Sequence, residues 1–319
     1  MNRFLQPIFL FLLLLIGGCS KREAFKTKTY MVMGTVLNVT LPESTSYLSD
    51  SVYEIFRTID SLMNPIKETS DIFKINISKG FVKVHPYTAD CIAKALEVAE
   101  MTDGAFDITV GSIVHLWHFD EQGKYIFPPL DSIEKYKGYV DYRKVKIQDG
   151  MVKVSKNQMI TLAGIAKGYA IQLAANFLYN KGVTSALIDA GGDLFLLGTR
   201  NGKKWRVGIR NPYGDDIVDV ISLSNTSCCT SGDYERYIEQ DGKRYSHIFS
   251  PFTGYPVSNG VRSVTVVYAD AIYCDALATA IFVLGPDGAQ KLRERVKGIE
   301  YYIITDDTTY LSDGFRGFF

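Results

Sequence analysis

SALIDAGGDLFLL, residues 185–197, reads as a strand, a tight turn and a second strand. Gly191 and Gly192 stand where a short hairpin wants positive φ. The segment before it, residues 166–180, is helical and stops near Lys181-Gly182. Working outward, residues 145–154 hold two short strands around an Asp149-Gly150 turn. Residues 33–41, 81–84, 205–210, 217–223, 261–268, 301–305 and 309–311 read as further strands. Residues 49–63 put Val52, Ile55, Phe56 and Ile59 on one helical face. Residues 88–102 form an amphipathic helix ended by Asp103-Gly104, and residues 271–284 an apolar helix closed by Gly285-Pro286. A charged helix follows at 287–296. Strands tied by hairpins, without regular βαβ alternation, favour α+β with mixed or antiparallel sheets over a doubly wound parallel sheet. No linker divides residues 30–319, so one compact unit is expected.

The chain has 319 residues, with 35 Lys plus Arg balanced by 35 Asp plus Glu. Zero net charge argues against a general nucleic-acid binder. At the N-terminus, Arg3 precedes an apolar run over residues 8–16 and then Gly17-Gly18-Cys19. That run is shorter than the roughly 20 residues a spanning helix needs. It reads as a signal peptide over residues 1–18. Ile16-Gly17-Gly18-Cys19 resembles the bacterial lipobox, so Cys19 is the expected lipidation site and residues 19–29 a short tether. The expected location is the bacterial cell envelope, lipid-anchored and periplasm-facing. Cys91, Cys228, Cys229 and Cys274 form no CxxC pair and no zinc spacing, so neither a structural zinc nor an obligatory disulfide framework is expected.

Several stretches carry chemistry. Ala163-Gly164-Ile165-Ala166-Lys167-Gly168 leads straight into a helix. Backbone N–H groups at a helix start, with a lysine beside them, suit an anion; a plain tight turn is the alternative. Asp189-Ala190-Gly191-Gly192-Asp193, taken alone, is better read as a turn. Asp275 and Thr279 lie four apart on one helix face and offer two hard oxygen ligands of the kind magnesium takes. A capping Asp and a Thr bonded to its own backbone would leave the same spacing. His247 precedes a Pro/Gly-rich loop, where an imidazole can serve as a general base; a structural histidine is the commoner case.

Taken in order, these segments resemble the ApbE-type FAD:protein FMN transferases. The matching stretches are Met33-Gly34-Thr35, Asp103-Gly104-Ala105-Phe106-Asp107-Ile108-Thr109-Val110-Gly111 with Leu116-Trp117, and Gly164-Ile165-Ala166-Lys167-Gly168-Tyr169-Ala170. They continue through Gly191-Gly192-Asp193, Ser231-Gly232-Asp233-Tyr234, His247 with Pro251 and Thr253-Gly254-Tyr255-Pro256, and Asp275-Ala276-Leu277-Ala278-Thr279. The resemblance implies an α+β fold of two closely packed subdomains with FAD in the cleft between them. It implies magnesium held by the Gly164 carbonyl, Asp275 and Thr279. Met33, Ala105, Phe106, Asp107, Thr161, Lys167 and Ile248 would line the FAD site, and His247 would be the base. It also implies transfer of FMN to a Thr or Ser of a membrane or exported redox protein, with release of AMP. An FAD pyrophosphatase and a non-catalytic FAD-binding lipoprotein are the alternatives. This chain departs from the family pattern at Thr161 and Ser250, where the family often has Asp, and around Asn64-Pro65-Ile66.

Overall fold

The computed structural model describes residues 22–119, 125–234, 237–240 and 243–319. The signal-peptide segment and Cys19 lie outside the described residues. Eight segments pair into one sheet: Phe25–Val32 (β1), Thr35–Pro42 (β2), Ala186–Ala190 (β3), Asp193–Leu197 (β4), Thr226–Gly232 (β5), Val261–Tyr268 (β6), Glu300–Thr305 (β7) and Thr309–Leu311 (β8). Their order across the sheet is their order along the chain, and every neighbouring pair is antiparallel. The hairpin read at residues 185–197 is β3 and β4, with Ala190 opposite Asp193.

Two tight turns sit side by side at one end of this sheet. In the first, Met33 (φ 53°) and Gly34 (φ 68°) join β1 to β2. In the second, Gly191 (φ 68°) and Gly192 (φ 94°) join β3 to β4. A Cβ on Gly191 would come within 2.1 Å of Thr35 Oγ1, so only glycine lets the turns approach this closely.

Helices fill the long connections. Ser49–Met63 (α1), Pro86–Met101 (α2) and Ala166–Asn180 (α3) lie between β2 and β3, and Ala271–Arg295 (α4) lies between β6 and β7. Side chains alternate across a strand, and the sheet uses both faces. Leu37, Val39, Ile188, Val264, Val266 and Ile303 join the helices in the main core. Leu194, Leu196, Val267, Tyr302 and Ile304 face the opposite way, against Trp205, Ile209, Ile221 and Leu223 of a two-stranded ribbon, Trp205–Arg210 with Ile217–Leu223. α3 and α4 touch at Gly168, where a Cβ would meet the Ala271 carbonyl oxygen at 2.2 Å. α4 is two helices meeting at the expected Gly285-Pro286 break, where Gly285 leaves helical geometry at φ 71°. Its length and apolarity match a membrane span, but 61% of its apolar window is buried in the protein.

A smaller cluster, Ile113, Trp117, Ile133 and Phe249, gathers the segment after Ile108 and the loop after His247 into a second subdomain. The inner part of the cleft lies between this cluster and the sheet-and-helix body.

Several elements were not read in the sequence, among them two strands of the main sheet and two short helices. β1 occupies part of the expected tether: its Lys and Thr residues are those of a polar edge strand. β5, TSCCTSG, is made of small residues with little strand signature, yet it is central and largely buried. Helices Asp71–Ile77 and Leu130–Lys137 are too short to show a clear period. Cys91, Cys228, Cys229 and Cys274 are buried thiols, and burial pushes those of Cys91, Cys228 and Cys229 up from their ordinary value.

Candidate active site

Two adjoining hollows make up the cleft. An inner recess of ≈ 160 Å³ is lined by residues 105–108, Thr161, Gly164, Ser231, Ile248, Asp275 and Thr279, among others. An outer hollow of ≈ 900 Å³ is lined by the Met33-Gly34 turn, Asn64-Pro65-Ile66, Gly191-Gly192, Arg210 and Tyr234, among others. Ala163, Lys167, Thr230 and His247 line both. Every expected site residue within the described chain therefore borders one continuous space: Met33 the outer hollow, Lys167 and His247 the junction, and Ala105, Phe106, Asp107, Thr161, Gly164, Ile248, Asp275 and Thr279 the recess.

The three expected magnesium ligands converge there. Asp275 is 5% exposed, and its Oδ2 accepts a hydrogen bond from the Gly168 N–H at 2.8 Å. It thus caps α3 from a neighbouring helix. The cap of its own helix is Asp270, which accepts from the Ile272 N–H, so Asp275 has a capping role at α3 rather than at its own helix start. Thr279 lies one turn further on, with its hydroxyl 3.4 Å from Ser231 Oγ. A Cβ on Gly164 would sit 3.2 Å from Thr279 Oγ1 and 3.2 Å from Phe106 Cε2, so this backbone lies directly against the hydroxyl. Among the described residues, no group of three or more His, Cys, Asp and Glu forms a metal cage. One carboxylate, one hydroxyl and one carbonyl are all hard oxygen donors, which fits magnesium when substrate phosphates complete the shell.

Lys167 differs from expectation. Rather than standing as a lone cation beside the helix start, it is ion-paired with Asp193, whose side chain is 2% exposed. Asp193 Oδ1 also accepts the Thr230 N–H at 3.1 Å. The pair fixes the ammonium at the junction of the hollows, and a lysine carries three donors.

Asp107 lines the recess, yet its carboxylate holds the local fold together. Oδ1 accepts from the Thr109 N–H at 2.8 Å and from Thr109 Oγ1 at 2.6 Å, and Oδ2 accepts from the Tyr142 N–H at 3.0 Å. Burial pushes its carboxyl up from the ordinary value, against the pull of those hydrogen bonds. The departures have local roles too. Thr161 Oγ1 accepts from the Ala163 N–H at 3.3 Å, and the Thr161 N–H donates to the Ile108 carbonyl at 2.8 Å. Ser250 accepts from the Thr253 N–H at 3.4 Å and so closes the loop after His247. Asn64-Pro65-Ile66 forms part of the outer rim, where Ile66 is 83% exposed.

Sequence reading missed several participants. Asn76 bonds both the N–H and the carbonyl of Ile160, at 2.8 and 3.0 Å, and so fixes the extended segment that leads to Thr161 and Gly164. Nothing in sequence connects residues 84 apart. Asp193 ends the Gly-Gly-Asp stretch, a cue that went unused. The Gly191-Gly192 pair is the turn it was read as, and it borders the outer hollow as well.

An α+β body, a second small subdomain and a cleft combining hard oxygen donors, a fixed ammonium and an imidazole define a class of ligand-binding cleft protein. The model of the ApbE family matches residues 33–303, and the chain belongs to that family. It is 29% identical to the FAD:protein FMN transferase of Vibrio cholerae over 96% of each chain. It is 30% identical to that of Escherichia coli K12 over 90% of this chain and 87% of the relative. The crystal structure of the ApbE protein of Thermotoga maritima superposes with a TM-score of 0.85 at 33% identity, covering 92% of this chain and 99% of the other. The flavin transferase ApbE of Vibrio cholerae gives 0.83 at 26% identity, covering 93% of this chain and all of the other.

Proposed function

We propose that this protein is an FAD:protein FMN transferase, moving FMN from FAD to a Thr or Ser hydroxyl of a client protein with magnesium present. The observation that carries the reading is the convergence of Gly164, Lys167, His247, Asp275 and Thr279 on one cleft. Relatives that carry the same activity in their names support it.

The residues divide the work. Gly164, Asp275 and Thr279 would hold magnesium, which neutralises phosphate charge and orients the phosphates when bound. The Lys167 ammonium adds positive charge where the two hollows meet. Phe106, Ile248 and Phe249 exclude water from the recess and offer apolar surface to a planar ring. The acceptor oxygen forms a bond to the flavin-side phosphorus, the pyrophosphate P–O bond breaks, and AMP departs. The hydroxyl proton passes to the His247 imidazole. The FMN half leaves attached to a protein, so it belongs in the open outer hollow, with the AMP half in the recess.

The reading extends to location. Acylated Cys19 would hold the enzyme on the periplasm-facing surface of the bacterial envelope, beside membrane or exported redox clients. The lipobox-like Ile16-Gly17-Gly18-Cys19 supports this; fractionation of cells expressing the wild type and Cys19→Ala tests it, with loss of the variant from membranes expected.

The deciding experiment incubates the chain lacking residues 1–19 with FAD, magnesium and a flavoprotein fragment. Intact mass and AMP release are followed, with EDTA as control. The expected result is a magnesium-dependent gain of one FMN on the fragment with AMP released. FMN and AMP without modified fragment would replace the transferase with a pyrophosphatase. FAD bound and unchanged would leave a binding protein.

A further inference from the structure

We propose that Arg210 binds a carboxylate of the client's acceptor segment at the mouth of the cleft; this rests on the transfer reading above. His247 lines both hollows, and the outer one is the wider, so a protein-borne hydroxyl approaches His247 through it. Three charged side chains line that hollow: Asp60, Lys167 and Arg210. Asp60 is paired with Lys67 at 2.5 Å and Lys167 with Asp193. Arg210 is held differently. Its guanidinium lies over the Tyr234 ring, 5.4 Å from the centroid, and among the described residues its ion pair is with the fully exposed Asp215, at 3.4 Å. The ribbon register shifts between Ile209 and Arg210. Such a bulge re-aims a side chain, and here Arg210 borders the hollow while Ile209 stays buried in the core.

A guanidinium carries five donors in a planar fork that matches a carboxylate or a phosphate. The cation–π contact with Tyr234 favours a guanidinium held beside the mouth before a ligand arrives. A phosphate of the dinucleotide would offer the same chemistry. However, Gly164, Asp275 and Thr279 line only the recess and Arg210 only the outer hollow. With both phosphates of the dinucleotide held over Gly164, Asp275 and Thr279, the oxyanion proposed for Arg210 is a separate group, carried by the incoming protein, and the FAD Kd below separates the two sources. The Arg210 side chain is 60% exposed, so its effect is screened and belongs to recognition rather than to chemistry.

The test uses Arg210→Glu, Arg210→Gln and Arg210→Lys with an acceptor fragment whose Thr or Ser is flanked by acidic residues. Steady-state rates give kcat and the acceptor KM; flavin fluorescence gives the FAD Kd. Arg210→Glu is expected to raise the acceptor KM roughly three- to tenfold, with kcat and the FAD Kd unchanged. Arg210→Lys keeps most of the affinity, and changing the fragment's acidic residues to Lys restores binding to Arg210→Glu. A shift in the FAD Kd instead of the acceptor KM would assign Arg210 to the dinucleotide and overturn the proposal. An acceptor KM that none of the variants moves, in an enzyme that transfers FMN normally, would also overturn it. A wild type that transfers nothing would sink the transferase reading and this inference with it.

Discussion

The inner recess and the outer hollow meet at His247 but are built on different terms. In the recess, polar groups are fixed by partners inside the protein: Asp275 by the Gly168 N–H, Asp107 by Thr109 and Tyr142, and the Gly164 backbone by Thr279 and Phe106 packed against it. Phe106, Ile248 and Phe249, all buried, close it to water. The outer hollow is framed by two glycine-containing turns, the exposed Ile66 and a solvent-facing Arg210. Groups that stabilise developing charge work best preorganised and dry. A surface that admits another protein has to stay open. Substitutions in the recess should therefore change rate, and those at the mouth should change partner affinity.

Asp275→Asn gives the largest expected effect. It removes the one anionic oxygen donor of the proposed magnesium set, and transfer should fall by about 10³-fold or more. The amide oxygen can still accept from Gly168, so the thermal midpoint should stay close to wild type. Single-turnover transfer and a melting curve on the same sample check both halves. His247→Ala should lower transfer by about 10²- to 10⁴-fold and leave FAD affinity intact. If His247→Ala keeps the wild-type rate, the junction of the hollows is not where the proton moves, and the contrast between them loses its chemical meaning.

The recess and the body were legible to different degrees. Apolar runs bounded by turn residues exposed β2, β3, β4, β6, β7 and β8, several of which bury side chains on both faces of the sheet. They missed β1, whose polar residues protect a sheet edge, and β5, whose small residues carry no alternation. Most site residues sit where periodicity says nothing: a hairpin turn at Met33, the loops at Ala105 to Asp107 and at Thr161 to Gly164, and the stretch after a hairpin at His247. They were found through motif order. What that order could not reveal was pairing. Lys167 with Asp193, and Asn76 with Ile160, join residues 26 and 84 positions apart, and only the folded chain brings them together.

Lys167→Met sharpens the comparison from the side of stability. It leaves the Asp193 carboxylate, 2% exposed, without its cation. Breaking a buried pair from one side costs about 3–5 kcal/mol, so urea unfolding should show a clear drop. Adding Asp193→Asn to Lys167→Met should recover much of that stability, because the stranded charge is gone, while transfer stays impaired. An additive double-mutant cycle would mean that the two side chains are not coupled at the junction.

The smallest expected effect comes from Asp107, on the wall of the recess. Burial holds its carboxyl above the ordinary 3.8, against the hydrogen bonds from Thr109 and Tyr142. The folded protein then keeps this proton more tightly than the unfolded chain does. Its contribution to stability is full below the unfolded pKa and is lost as pH rises through the raised folded pKa. Asp107→Asn cannot titrate, and its amide nitrogen would face the N–H or O–H donors that the carboxylate satisfied. At neutral pH the variant should be less stable by about 1–3 kcal/mol. The advantage of the wild type should be greater at about pH 3 than at about pH 6. Urea midpoints of both proteins across that range check the slope. A gap that widens with pH would mean that the hydrogen bonds to the ionised carboxylate outweigh its burial, and that this wall of the recess holds its charge as readily as the open mouth does.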